Sequence, residues 1–114
     1  MIKVDTQDIE ILKTLNAGDI VSISGTIYTA RDAAHKKIFA LMKDNMPLPF
    51  PLRNSFVYYT GATPAKDGEP YGSCGPTTSK RMDVYTPDML DAGLKGIIGK
   101  GARTRAVIDA IKRN

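Results

Sequence analysis

Three stretches of this sequence gather the residue types that hold small anions. The first is Ser24-Gly25-Thr26-Ile27-Tyr28-Thr29-Ala30-Arg31-Asp32-Ala33-Ala34-His35, where Arg31 falls in the first turn of an expected helix. A cation there opposes the helix macrodipole, and Asp32 offsets part of that cost. A local rule broken at a strand–helix junction points to a ligand, because an anion would meet free backbone amides and a guanidinium together. Pairing of Arg31 with Asp32 or a distant carboxylate is the plain alternative. The second stretch is Gly72-Ser73-Cys74-Gly75-Pro76-Thr77-Thr78-Ser79-Lys80-Arg81-Met82. Its glycines and proline force an irregular turn, and hydroxyls then precede two cations. If the chain turns helical at Thr77, that hydroxyl shares a face with Arg81 at i, i+4, giving the donor set a carboxylate or phosphate needs. A glycine–proline turn capped by Thr77 or Thr78 accounts for the same residues without a ligand. The third stretch, Gly99-Lys100-Gly101, presents an ammonium from bare backbone after an apolar run.

Two other reactive side chains read more plainly. His35, the only histidine, lies one helical turn after Arg31 and has no second ligand type at metal spacing, so it reads as a hydrogen-bonded helix residue. Cys74 is the only cysteine; it reads as a small residue in a tight loop, since an iron–sulfur cluster needs several thiolates. No Gly-x-x-x-x-Gly-Lys-Ser/Thr spacing is present, which sets aside a phosphate-binding loop of that type.

The elements that must position these residues follow from periodicity and punctuation. Thr6 to Leu15 reads as a short amphipathic helix capped by Asp5 or Thr6, with Ile9, Leu12 and Leu15 on one face. Ile20 to Ile27 alternates as a strand does. Thr29 can cap a helix over Ala30 to Asp44, with Ala30, Ala33, Ala34, Ile38, Leu41 and Met42 as its apolar stripe. The prolines of Met46 to Leu52 exclude regular structure. Ser55 to Thr60 is the clearest strand, and Gly61 to Pro76 is rich in turn residues. Thr86-Pro87 opens a helix that Gly93 closes. Lys95 to Lys100 is a short strand. Thr104 to Arg113 is a final helix with Val107, Ile108 and Ile111 inward. Strands alternating with helices imply a single α/β domain with a mixed, partly parallel sheet. In such sheets ligands gather beyond the carboxyl ends of strands, which is where the three stretches lie.

Composition bounds the partners. The chain has 114 residues and a net charge of +4, suited to an anionic ligand. No apolar run approaches the roughly 20 residues needed to cross a bilayer, so no membrane association is expected. The lone cysteine and the mixed, acidic N-terminus imply a reducing, cytoplasmic setting. Lys95, Lys100, Arg103, Arg105, Lys112 and Arg113 make the C-terminal part the most basic. No aromatic lies among these cations to stack on bases, which argues against nucleic acid as a partner.

Four motifs in register carry a resemblance: Gly25-Thr26-Ile27-Tyr28-Thr29-Ala30-Arg31-Asp32-Ala33-Ala34-His35, Tyr58-Tyr59-Thr60-Gly61-Ala62-Thr63-Pro64, Gly75-Pro76-Thr77-Thr78-Ser79-Lys80-Arg81-Met82 and Gly96-Ile97-Ile98-Gly99-Lys100-Gly101. From Gly18 to Arg113 the chain resembles the beta subunit, or C-terminal region, of class I fumarases and L-tartrate dehydratases. The resemblance implies a swivelling β/α fold. It implies a hydro-lyase, working on fumarate and malate or on tartrate, with a 4Fe-4S cluster held by the cysteines of a partner alpha subunit. One iron of that cluster would act as a Lewis acid on the hydroxyl that leaves or arrives. It implies no metal ligand in this chain. Arg31, Arg81 and Lys100 would hold the substrate carboxylates, and Thr77 would sit against the carbon that loses or gains the proton. The family's beta part continues past the lysine motif, so the chain reads as a single domain over residues 1–114, shortened at its C-terminus. The reading from another class is a non-catalytic anion-binding or assembly domain that kept the pocket.

Overall fold

The computed structural model describes residues 1–60, 68 and 79–114. It is an α/β architecture with two parallel β-layers. The smaller pairs β1 (Ile2–Asp5) with β2 (Val21–Ser24), Ile2 opposite Val21 and Asp5 opposite Ser24. The larger has the order β3 (Tyr28–Thr29), β4 (Phe56–Tyr58), β5 (Gly96–Ile98). The crossovers are α1 (Asp32–Lys43) between β3 and β4, and α2 (Thr86–Asp91) between β4 and β5. Helix α3 (Arg105–Arg113) follows β5.

The strand expected over Ile20 to Ile27 is divided between the two layers. Gly25 causes the break: it sits at φ 115, and a Cβ there would lie 2.1 Å from Thr6 Oγ1. Only glycine both adopts that backbone and clears Thr6. Strand β1 is absent from the periodicity, because only Val4 of its four residues is buried. Its amides nonetheless find partners along β2, from Ile2 N–H to Ile20 O at 3.0 Å through Thr6 N–H to Ser24 O at 2.9 Å.

The expected helix over Thr6 to Leu15 is corrected to a 3₁₀ segment, Ile9–Thr14. Thr6 belongs to the strand ladder, and Asp5 Oδ1 accepts the Gln7 amide at 2.9 Å, which builds a turn in place of a cap. The spacing Ile9, Leu12, Leu15 is strictly three, the period at which 3₁₀ side chains eclipse.

Helix α1 matches its expected span closely. His35 and Ile38 are its buried residues, with Ala34 and Met42 packed beside the core. Asn45 (φ 53) closes it, its amide donating to Met42 O and that of Met46 to Leu41 O. Helix α2 ends in the same pattern, Gly93 N–H to Leu90 O and Leu94 N–H to Met89 O, which brings Leu94 beside Met89 in the core. Val57, Tyr59, Met82 and Met89 are fully enclosed there.

Two expectations about helix faces change. Thr86 does not cap α2. Tyr85 occupies that position, and Thr86, itself fully buried, turns its hydroxyl onto Met82 O at 2.9 Å. Helix α3 buries Val107 and Ala110, whereas Ile108 and Ile111 are 37% and 51% exposed. The small side chain of Ala110 lets α3 approach α2 closely, so the contact strip is narrower than the isoleucines suggested. Helix α3 is tied to the end of α2: Arg113 grips Asp91 through two bonds of 2.9 and 2.7 Å, and Asn114 Nδ2 adds a third at 2.8 Å.

Candidate functional site

Parallel pairing sends the carboxyl ends of β3, β4 and β5 to one edge. Thr29 is opposite Tyr58, and Tyr58 is opposite Ile98. The second residue past each of these is Arg31, Thr60 and Lys100. The ladder continues into this row, with Ala30 N–H to Tyr58 O at 3.0 Å and Tyr59 N–H to Ile98 O at 2.9 Å. Two of the three cations singled out from sequence therefore leave the same edge of the sheet, from its two outer strands.

Arg31 is the N-cap of α1 rather than a residue of its first turn, and no side chain caps the helix. The first amides of any α-helix have no intrahelical acceptor. Here they adjoin an open depression of about 270 Å³ lined by Thr29, Ala30, Arg31, Ala33, Ala34 and Thr60. Arg31 is exposed and forms no ion pair with a described residue; the carboxylate beside it, Asp32, is taken by Arg81. That bond, Arg81 Nη2 to Asp32 Oδ2, is 2.6 Å. It brings the third cation to the amino end of α1. Asp32 Oδ1 is buried without a partner among the described residues.

Arg81 stands on a 3₁₀ turn, Ser79–Met82, and the residues before it, Thr77 and Cys74 included, lie outside the described residues. So does the turn-rich stretch expected from Gly61 to Pro76, apart from Gly68. Ser79 N–H donates to Lys100 O at 2.8 Å, which sets the Lys100 backbone against this turn. Gly99 permits that approach: a Cβ there would meet Ser79 Oγ at 2.2 Å and the Tyr59 ring at 2.9 Å.

Behind the edge lies a buried polar cluster that sequence reasoning missed. Arg103 Nε donates to Asp83 Oδ1 at 2.7 Å, and the Thr104 amide donates to Asp83 Oδ2 at 2.7 Å. Arg103 Nη2 donates to Thr86 Oγ1 at 3.0 Å and to Tyr59 OH at 3.3 Å. The two hydroxyls are 3.0 Å apart. In the sequence Arg103 reads only as part of a basic tail, and nothing local marks an aspartate twenty residues earlier as its partner. Three arginines of that tail are engaged with carboxylates, Arg103 with Asp83, Arg105 with Asp109 and Arg113 with Asp91, which weakens the tail as a phosphate-binding patch.

His35 is fully buried, edge-on to Tyr59 at 5.1 Å between ring centroids. Its Nδ1 lies 2.9 Å from Arg31 O, so the proton assigned to Nδ1 donates to that carbonyl and fixes the peptide carrying Arg31. Its Nε2 is without a partner among the described residues. Burial pushes the imidazole below its usual 6.5; the bond to Arg31 and the charge of Asp32 oppose this, and Arg103 adds to it. The fold therefore favours neutral His35. Its contribution is complete above about pH 6.5 and is lost as the pH falls toward the lower folded-state value. Urea midpoints measured down an acid series should fall more steeply for the native chain than for His35→Asn, which keeps a donor toward Arg31 but does not titrate. Parallel slopes would remove His35 from the acid response.

No described helix is long and apolar enough to cross a membrane. Among the described residues no three His, Cys, Asp or Glu side chains group to hold a metal ion. The donors of this edge among the described residues are cations, amides and hydroxyls, which suit a carboxylate and do not suit an iron–sulfur cluster.

The model of the family described as "Fumarase C-terminus" matches residues 1–114. The chain is similar to a putative L(+)-tartrate dehydratase subunit beta of Methanocaldococcus jannaschii, 39% identical over 100 residues that cover 85% of this chain and 51% of that protein. It is 40% identical to fumarate hydratase 2 of Leishmania major over 98 residues, 85% of this chain and 17% of that enzyme. It is 32% identical to the L(+)-tartrate dehydratase subunit beta of Escherichia coli K12 over 95 residues, 81% of this chain and 46% of that subunit. The chain thus spans about half the length of the beta subunits it matches.

Proposed function

This chain belongs to the fumarase C-terminus family, and from that premise we propose that it is the dicarboxylate-binding part of a hydro-lyase, completed by an alpha-type polypeptide. The observation that supports the reading is that Arg31 and Lys100 follow the carboxyl ends of β3 and β5 on one edge of a parallel sheet, with the Arg81–Asp32 pair at the amino end of α1. Three cations against one carboxylate leave a positive excess that complements a dianion. The substrate is fumarate or malate, or tartrate, each with two carboxylates. Arg31 and Arg81, with the uncapped amides of α1, take one carboxylate, and Lys100, after the far strand of the three, takes the other. Preset cations in a closed cleft also stabilise the charge that builds on a carboxylate when the adjacent carbon loses its proton.

Thr77 is assigned as the group beside that carbon. A neutral hydroxyl is a weak base, so its role requires a cation close enough to favour the alkoxide, and Arg81, four positions on in the sequence, is the candidate. The 4Fe-4S cluster belongs to the partner in this reading, because the single cysteine here cannot hold it; when present it supplies Lewis acidity at the substrate hydroxyl.

The test mixes the purified chain with a cluster-loaded alpha subunit and follows fumarate absorbance. Hydration should appear only in the mixture, and Thr77→Ala should reduce it by roughly 100-fold or more if Thr77 moves the proton. Full turnover by Thr77→Ala would remove that role. Fumarate or tartrate binding without turnover in any mixture would favour a non-catalytic anion-binding or assembly domain.

A further inference from the structure

The segment that carries Arg81 and the segment that carries Lys100 are tied together at two points. At one, Ser79 N–H meets Lys100 O at 2.8 Å. At the other, the Asp83 carboxylate is held on both oxygens, by Arg103 Nε and by the Thr104 amide, each at 2.7 Å. The rest of the Arg103 fork reaches Thr86 and Tyr59, and its guanidinium lies 5.4 Å from the centre of the Tyr59 ring. The pair is enclosed, with Arg103 15% and Asp83 4% exposed, unlike the Arg81–Asp32 pair at 65% and 46%. One guanidinium therefore joins the loop after β5, the turn before α2 and the end of β4.

We infer that Arg103 is a positioning residue for dicarboxylate recognition, setting the separation of Arg81 from Lys100 through Asp83 and fixing both against β4 through Tyr59. The inference rests on the dicarboxylate reading above. A dianion needs two cations at a matching separation, whereas a monoanion needs one. The signature of a positioning role is therefore a change in the ratio of the two affinities, not a uniform loss. Lysine at this position keeps the charge, but its three donors radiate from one nitrogen, which cannot span Asp83, Thr86 and Tyr59 as the planar fork does.

The experiment titrates the full chain with fumarate and with crotonate, its monocarboxylate analogue, following amide shifts by NMR. The unmodified chain should prefer fumarate. Arg103→Lys should weaken fumarate binding by roughly tenfold through misplacement of its cations, with crotonate little changed. Tyr59→Phe removes one acceptor of the fork and should lower the same ratio by a smaller factor; it serves if Arg103→Lys does not fold. Val107→Ala, a buried truncation without a polar link to the cluster, should lower stability and keep the ratio. A ratio unchanged in both fork variants overturns the inference alone, and an equal fall in Val107→Ala overturns it by reducing the effect to stability. Absence of any fumarate preference in the unmodified chain overturns the functional reading, and this inference with it.

Discussion

Replacing Arg81 by glutamine is expected to lower kcat/KM of the assembled enzyme by roughly 30- to 1000-fold, the equivalent of about 2–4 kcal/mol lost when one partner of a desolvated charge pair is truncated. In the chain as described, Arg81 is bound to Asp32, and both side chains are about half or more exposed. A surface pair of this kind is worth about 0–1 kcal/mol. Under the proposed function a substrate carboxylate enclosed by the partner polypeptide would outcompete it, Asp32 parking the guanidinium without locking it. Two comparisons make the result specific. Arg81→Lys should recover only part of the loss, because an ammonium cannot offer two parallel bonds. Asp32→Asn should leave kcat within a small factor, since the amide still fills the space while Arg81 is released. Retention of full kcat/KM by Arg81→Gln would remove Arg81 from the substrate site.

The largest effect on stability is expected from Asp83→Ala. It leaves the Arg103 guanidinium enclosed with no countercharge, a change that costs about 3–5 kcal/mol in comparable buried pairs. A domain of this size has roughly 5–15 kcal/mol in all, so the variant should unfold at a much lower urea concentration. Removal of the carboxylate also frees the Thr104 amide at the start of α3, so exchange of the α3 amides should accelerate more than exchange in β1 and β2. A midpoint shift worth less than about 1 kcal/mol would mean that Arg103 finds water or another acceptor, as the range for exposed pairs allows.

The residues of the candidate site were legible where chemistry and punctuation coincide. Arg31 stands out because a cation at the start of a helix violates a local electrostatic preference, Arg81 because it follows a glycine–proline turn and three hydroxyls, and Lys100 because glycines flank it after an apolar run. The strands Phe56–Tyr58 and Gly96–Ile98 and the helix Asp32–Lys43 were visible for the same reason: their burial imposes a period on the sequence. Strand β1 was not visible, since a short edge strand with a single buried residue, Val4, has no period to detect. The 3₁₀ segment was misread because i, i+3 spacing is shared by both helix types over two turns, and only the Asp5 turn decides between them. The pairings Arg81–Asp32 and Arg103–Asp83 were illegible for a different reason. Sequence names the charges, but partners so far apart are chosen by the packing of whole elements.

One consequence of the parallel register concerns ligand length. Arg31 leaves the first strand of the three and Lys100 the third, with Thr60 on the strand between them. Their backbones stand two strand spacings apart, about 10 Å, a gauge set by main-chain hydrogen bonding that no surface substitution can reset. Under the proposed function, long, flexible side chains would have to lean inward across that gap to meet a short diacid above β4. Swapping one of these cations for a shorter side chain would therefore retune which chain length fits, while leaving the scaffold as it is.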